Sequence, residues 1–156
     1  MKWYNFLLFL SLGTYLSAQE SFRDIMSQKQ RAVWVDSMLE YRFEYMLPDL
    51  MRREGIDMWI LISREYNEDP VMKTMLPSEW LSARRRTIMV FYDPGKGMPI
   101  EKVAIARYDV GRLLKGEWNI DVYPDQWAAL TDVVQKYKPN KIGINTSEFF
   151  GLADGL

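Results

Sequence analysis

A chain of 156 residues with neither cysteine nor histidine has only a hydrophobic core to hold it together. No disulfide framework can form and the commonest zinc ligands are missing, so small stapled folds are excluded. The same absence limits chemistry. Ser-His-Asp arrays, Cys-His pairs and His-Glu metal sites are ruled out, and with them the usual proton shuttle near neutral pH. The carboxylates, hydroxyls, Lys, Arg and Tyr that remain form no recognisable catalytic array. The expectation is a binding or scaffolding module and not a complete enzyme. Material for a core is present: 48 % of residues are apolar, with six Trp and nine Tyr, a globular composition rather than a disordered one. Lys and Arg number 20 against 21 Asp and Glu, which argues against a general polyanion binder such as a nucleic-acid protein.

The N-terminus reads as an export signal. Lys2 is the only charge before Glu20, Phe6 to Leu16 is a short apolar run, and Leu16-Ser17-Ala18 offers a small-residue cleavage site. Residues 1–18 are therefore expected to be a signal peptide, and 19–156 one domain, exported to the periplasm or secreted. The uncharged run from Trp3 to Gln19 sits at the short edge of the about 17–25 residues needed to span a bilayer, so no stable membrane anchor is expected. The abrupt end at Leu156, directly after a strand-like segment, suggests a domain cut at its C-terminal end.

Between these ends the pattern alternates helix and strand. Arg31 to Glu54 reads as helix: Trp34, Met38, Tyr41 and Tyr45 recur at helical spacing, and Leu39, Phe43, Met46, Leu47, Leu50 and Met51 widen the apolar surface. Pro48 predicts a kink or a new helix start, and Gly55 a left-handed cap. Met58 to Ile62 is a continuous apolar run of strand length. The polar segment Ser63 to Ser82 is too long for a plain connection and should hold short helical turns or a function. Thr87 to Tyr92 and Glu101 to Arg107 predict an antiparallel hairpin around the turn at Asp93-Pro94-Gly95-Lys96-Gly97. Asp109 to Leu114 reads as one helical turn ended by Gly116. Ile120 to Tyr123 reads as a fourth strand, Gln126 to Tyr137 as a helix capped by Asp125, and Lys141 to Asn145 as a fifth strand. Strand, helix and strand in that order imply a parallel crossover. The fold class is α/β: a mixed sheet with flanking helices.

The string from Leu47 to Ile60 (LPDLMRREGIDMWI) resembles the first helix and strand of the creatinase/prolidase amino-terminal domain, which precedes the catalytic domain of Xaa-Pro aminopeptidases. Arg84-Arg85-Arg86 leading into TIMVFYDPG, then VAIARYDVG, DQWAALTDVV and KIGINTS, follow in a similar order. The resemblance implies a ribonuclease-H-like sheet and a non-catalytic role in assembly and substrate gating. It implies an M24-type metallopeptidase parent, a hydrolase whose two divalent metal ions (Mn, Co or Zn) and their ligands belong to a catalytic domain absent from this chain. The partners implied are a second copy in a homo-oligomer, the protein's own catalytic domain and a peptide substrate. The alternative is a free-standing exported module that binds a peptide or protein along the sheet edge or the Tyr66–Trp80 segment.

The candidate binding residues are Tyr66, Trp80 and Arg84, with Glu68 beside them, as a rim touching a peptide or a neighbouring subunit; otherwise Trp80 is a core plug and Arg84 a surface charge. Arg84-Arg85-Arg86 is read as locally ion-paired, because residues leading into a strand alternate and three cannot face one ligand. No nucleic-acid partner is expected. Glu65, Glu68 and Asp69 lack the calcium-loop pattern and read as a solvated acidic loop. Gly95-Lys96-Gly97 is a turn, not a phosphate loop. Asn145-Thr146-Ser147 matches a glycosylation triplet common by chance. No metal site is expected in this chain.

Overall fold

The structure, a computed structural model, describes residues 25–146. The predicted signal peptide and the chain from Ser147 onward lie outside the described residues. The chain divides into two compact units, Met1–Val33 and Trp34–Leu156. In the first, the described part opens a helix through a capping box: Ser27 Oγ accepts the Gln30 N–H at 3.3 Å and Gln30 Oε1 accepts the Ser27 N–H at 2.8 Å.

In chain order the helices are α1 (Gln28–Tyr41), a π-helical segment (Arg42–Met46), α2 (Leu47–Glu54), α3 (Pro70–Met75) and α4 (Gln126–Tyr137). The strands are β1 (Met58–Arg64), β2 (Arg86–Tyr92), β3 (Glu101–Ala104), β4 (Lys115–Gly116) and β5 (Ile142–Ile144). The five strands form one sheet in the order β4-β3-β2-β1-β5. β1 runs antiparallel to β2, and β2 to β3; β5 runs parallel to β1, and β4 to β3. The chain is thus an α/β fold with a mixed sheet, and the predicted hairpin forms.

Side chains alternate across the sheet with a period of two and supply two cores. Leu61, Met89 and Phe91 pack with Leu39, Phe43, Leu47 and Met51 on one face. Met58, Ile60, Ile88 and Val90 pack with Ala129, Leu130 and Val133 of α4 on the other. Burial on both sides explains why β1 and β2 read as unbroken apolar runs.

Three expectations are corrected. The helical face marked by Trp34, Met38, Tyr41 and Tyr45 is exposed, at 50–60 % of each residue's surface, while Leu39, Phe43, Leu47 and Met51 are buried. In a regular α-helix those four would drift about 120° around the axis. The π-helical turn adds a residue without advancing the rotation, and so keeps them on one side. It forms just ahead of Pro48, which has no N–H to continue the α pattern; the Leu47 N–H bonds Arg42 O instead.

The second correction concerns Asp109 to Leu114, which is a turn closed by Val110 N–H to Leu114 O at 3.0 Å, and leads into β4 rather than ending a helix. Gly116 lies inside β4, paired with Ala104, and has no room for a side chain, since a Cβ there would sit 2.5 Å from the Tyr108 carbonyl oxygen. The third concerns Ile120 to Tyr123, which is a turn and not a strand. Asn119 accepts the N–H groups of Val122 and Tyr123 on its carbonyl and that of Asp121 on its side chain, a local alternative to the ladder. β5 accordingly pairs with β1. The caps fall as expected: Gly55 is left-handed at φ 62°, and Asp125 accepts the N–H groups of Trp127 and Ala128 at 2.8 and 2.9 Å.

Candidate functional site

The β1–β2 ladder ends with Arg64 directly opposite Arg86. Cross-strand partners share a face, so the two side chains leave the same face of the sheet. Around them opens a cleft of about 670 Å³ lined by Arg64, Arg84, Arg85, Arg86 and Arg107. The prediction that Arg84, Arg85 and Arg86 cannot face one ligand is overturned. Arg85 has a left-handed backbone (φ 49°), which suspends strand alternation at that residue. The fixed loop follows from short bonds. Glu65 N–H donates to Arg85 O at 2.8 Å, Arg85 N–H to Glu65 Oε2 at 3.2 Å, and Arg84 N–H to Thr87 Oγ1 at 3.0 Å. Gln126, at the start of α4, ties β2 to the chain beyond β3 by donating to Arg86 O and Ile105 O.

Local ion pairing, the other half of that prediction, is also corrected: among the described residues Arg84, Arg85, Arg86 and Arg107 have no carboxylate within salt-bridge distance. Three of them lie over indoles instead. The guanidinium carbon of Arg84 is 4.8 Å from the Trp80 ring centre, that of Arg86 4.8 Å from Trp127, and that of Arg107 5.6 Å from Trp118. Stacking fixes a guanidinium plane without neutralising it and leaves its edge N–H groups available. Arg86 Nε is buried and has no hydrogen-bond acceptor.

Of the predicted site residues, Tyr66 and Arg84 both line this cleft. Tyr66 is 93 % exposed and left-handed at φ 71°. Trp80 supports the wall from behind: it is half-buried, packs on the core beside α1 and α2, and approaches the Tyr108 ring at 6.2 Å. This packing is that of the core-plug reading of Trp80. Glu68 is half-buried and does not line the cleft. The solvated acidic loop is corrected at Asp69, which is buried. It caps α3 through the Val71 N–H at 2.7 Å and accepts Asn145 Nδ2 at 2.8 Å. Gly95-Lys96-Gly97 is the expected turn, with Asp93 Oδ1 accepting the Gly95 N–H.

Arg64 and Arg107 escaped the sequence reading. The signal was present in the hairpin itself. An arginine follows the β1 run, precedes the β2 run and follows the β3 run, and antiparallel pairing puts all three at one end of the sheet.

Among the described residues no group of three or more Asp or Glu is placed to hold a metal ion, and no helix is long and apolar enough to cross a membrane. Comparison with known proteins finds no family model, curated sequence or solved structure that matches this chain.

Proposed function

We propose that this chain is the non-catalytic amino-terminal domain of an exported Xaa-Pro aminopeptidase-like metallopeptidase, of the creatinase/prolidase type with a ribonuclease-H-like sheet. Its work is assembly and substrate gating. Cleavage, and the two divalent metal ions it requires, belong to a separate catalytic domain. The observation that carries this reading is the convergence of Tyr66 and Arg84 on one cleft, with Trp80 behind Arg84. A rigid rim built from the long β1–β2 connection is what a gating domain needs. The helix-flanked mixed sheet supports the reading, as does the exposed stripe of Trp34, Met38, Tyr41 and Tyr45, since exposed apolar patches of this kind mark association surfaces.

Two measurements test it. Incubated with Mn²⁺, Co²⁺ or Zn²⁺ and an Xaa-Pro peptide, this chain should show no turnover; metal-dependent hydrolysis would overturn the non-catalytic assignment. Sedimentation should show self-association that weakens when Trp34 and Tyr41 are changed to Ser, and a monomer at all concentrations would remove the assembly role. The second reading, a free-standing exported peptide-binding module, draws on β5. This edge strand leaves Ile142 and Ile144 each 43 % exposed and open to strand addition.

A further inference from the structure

We propose that the arginine cleft binds a small ligand carrying at least two oxyanion charges, such as a pyrophosphate, a phosphate ester or a polycarboxylate. The inference goes beyond the peptidase reading and does not depend on it.

Local charge comes first. Five guanidinium groups line the cleft against two carboxylates, Glu65 and Asp125. Both carboxylates already accept backbone N–H groups, Glu65 from Arg85 and Asp125 from Trp127 and Ala128. The near-balance of the whole chain does not show this local excess. Arg52, Arg53, Arg112, Lys115 and Lys136 each contact a carboxylate within 3.2 Å. Arg84, Arg85, Arg86 and Arg107, by contrast, meet no carboxylate among the described residues and gather in one concavity. That distribution fits a compact anion and not a polymer, whose backbone would need basic residues continued along the surface.

Preorganisation is the second argument. Arg84, Arg86 and Arg107 are held over three different indoles, so little side-chain freedom remains to be lost on binding. Their edges present paired N–H donors, the geometry that oxyanions accept in bidentate fashion. Arg86 supplies a buried donor without an acceptor, and native proteins leave few of these. A volume of about 670 Å³ falls within the range of small-ligand pockets.

The test is calorimetric titration of the full chain with inorganic pyrophosphate and, separately, with citrate, in about 0.15 M salt where non-specific attraction is screened. At least one probe should bind saturably at one site. Pyrophosphate alone would identify a phosphoryl ligand, citrate alone a carboxylate one, and either result supports the proposal. Arg86→Gln and Arg107→Gln should each weaken binding about tenfold or more, as expected for a lost charge-assisted contact. Arg107 is exposed, so its variant stays folded even if the Arg86 variant does not. Arg112→Gln removes the same charge from a matched surface pair and should change affinity less than about twofold. Absence of saturable binding by both probes up to about 1 mM, or equal losses in the Arg112 and Arg107 variants, would overturn the proposal. Either failure leaves the peptidase reading standing, because that reading is scored by turnover and self-association.

Discussion

At the end of the β1–β2 ladder where Met58 faces Tyr92, charges are matched and donors have acceptors. Asp93 accepts Arg52 through two bonds of 2.8 and 3.1 Å and the Gly95 N–H at 2.9 Å. Asp57 accepts the N–H groups of Asn140 and Lys141. Both carboxyls titrate below their ordinary 3.8: Asp93 chiefly through the Arg52 hydrogen bond, Asp57 chiefly through the Asn140 backbone bond. At the opposite end Arg64 faces Arg86, and stacked arginines surround a cleft. One sheet thus has an end whose carboxylates hold its turns and an end where arginines gather around a cleft. A fold selected for stability alone would have matched both ends, and this contrast motivates the ligand proposed for the cleft.

The largest expected effect lies in the core that serves the matched end. Phe91 is fully buried between Phe43 and Trp59, with ring centres 5.2 and 5.7 Å away. Phe91→Ala should cost about 3–5 kcal/mol of unfolding free energy in urea titration. Asp93→Ala leaves the Gly95 N–H without its acceptor and Arg52 with only the Met98 carbonyl, and should cost about 2 kcal/mol by the same measurement. If this cost is absent, the two ends do not differ as described.

Acid sharpens the comparison further. Carboxyls with depressed pKa contribute stability that is full above the unfolded value near 3.8. That contribution is lost as pH falls through the folded values. Melting temperature should therefore drop on acidification below about pH 4. The drop should be shallower in Asp57→Asn and Asp93→Asn, and unchanged in slope in Arg107→Gln. The smallest effect belongs to the cleft. Arg107→Gln should alter unfolding free energy by no more than about 0.5 kcal/mol. A large destabilisation there would show that the cleft arginines hold the fold together and are not reserved for a ligand.

Much of this architecture was legible in the residues. The apolar runs of β1 and β2, the turn at Gly95 and Gly97, the Asp125 cap and the Gly55 terminus depend on neighbours within a few positions, and local patterns report those directly. The misreadings share one cause. Trp34 and Tyr41 recur at helical spacing as Leu39 and Phe43 do, and spacing alone does not say which set meets the sheet; the π-helical turn keeps Phe43, Leu47 and Met51 in line with Leu39. Ile120 and Val122 carry strand-like character, but Asn119 captures the backbone before a ladder can form. The cleft was half visible. Arg84 and Tyr66 stood out by position, whereas Arg64 and Arg107 became relevant only through strand pairing.

By itself the sequence determined that the chain has no thiol or imidazole chemistry, that it needs a two-sided core, and that β1, β2, β5 and the main helices begin and end close to where they do. These follow from composition and from interactions a few residues long. Only the tertiary structure decided that arginines from three separate segments meet around one cavity with indoles beneath them. Convergence of that kind is set by strand register and by one left-handed residue, Arg85, and neither leaves a periodic trace along the chain.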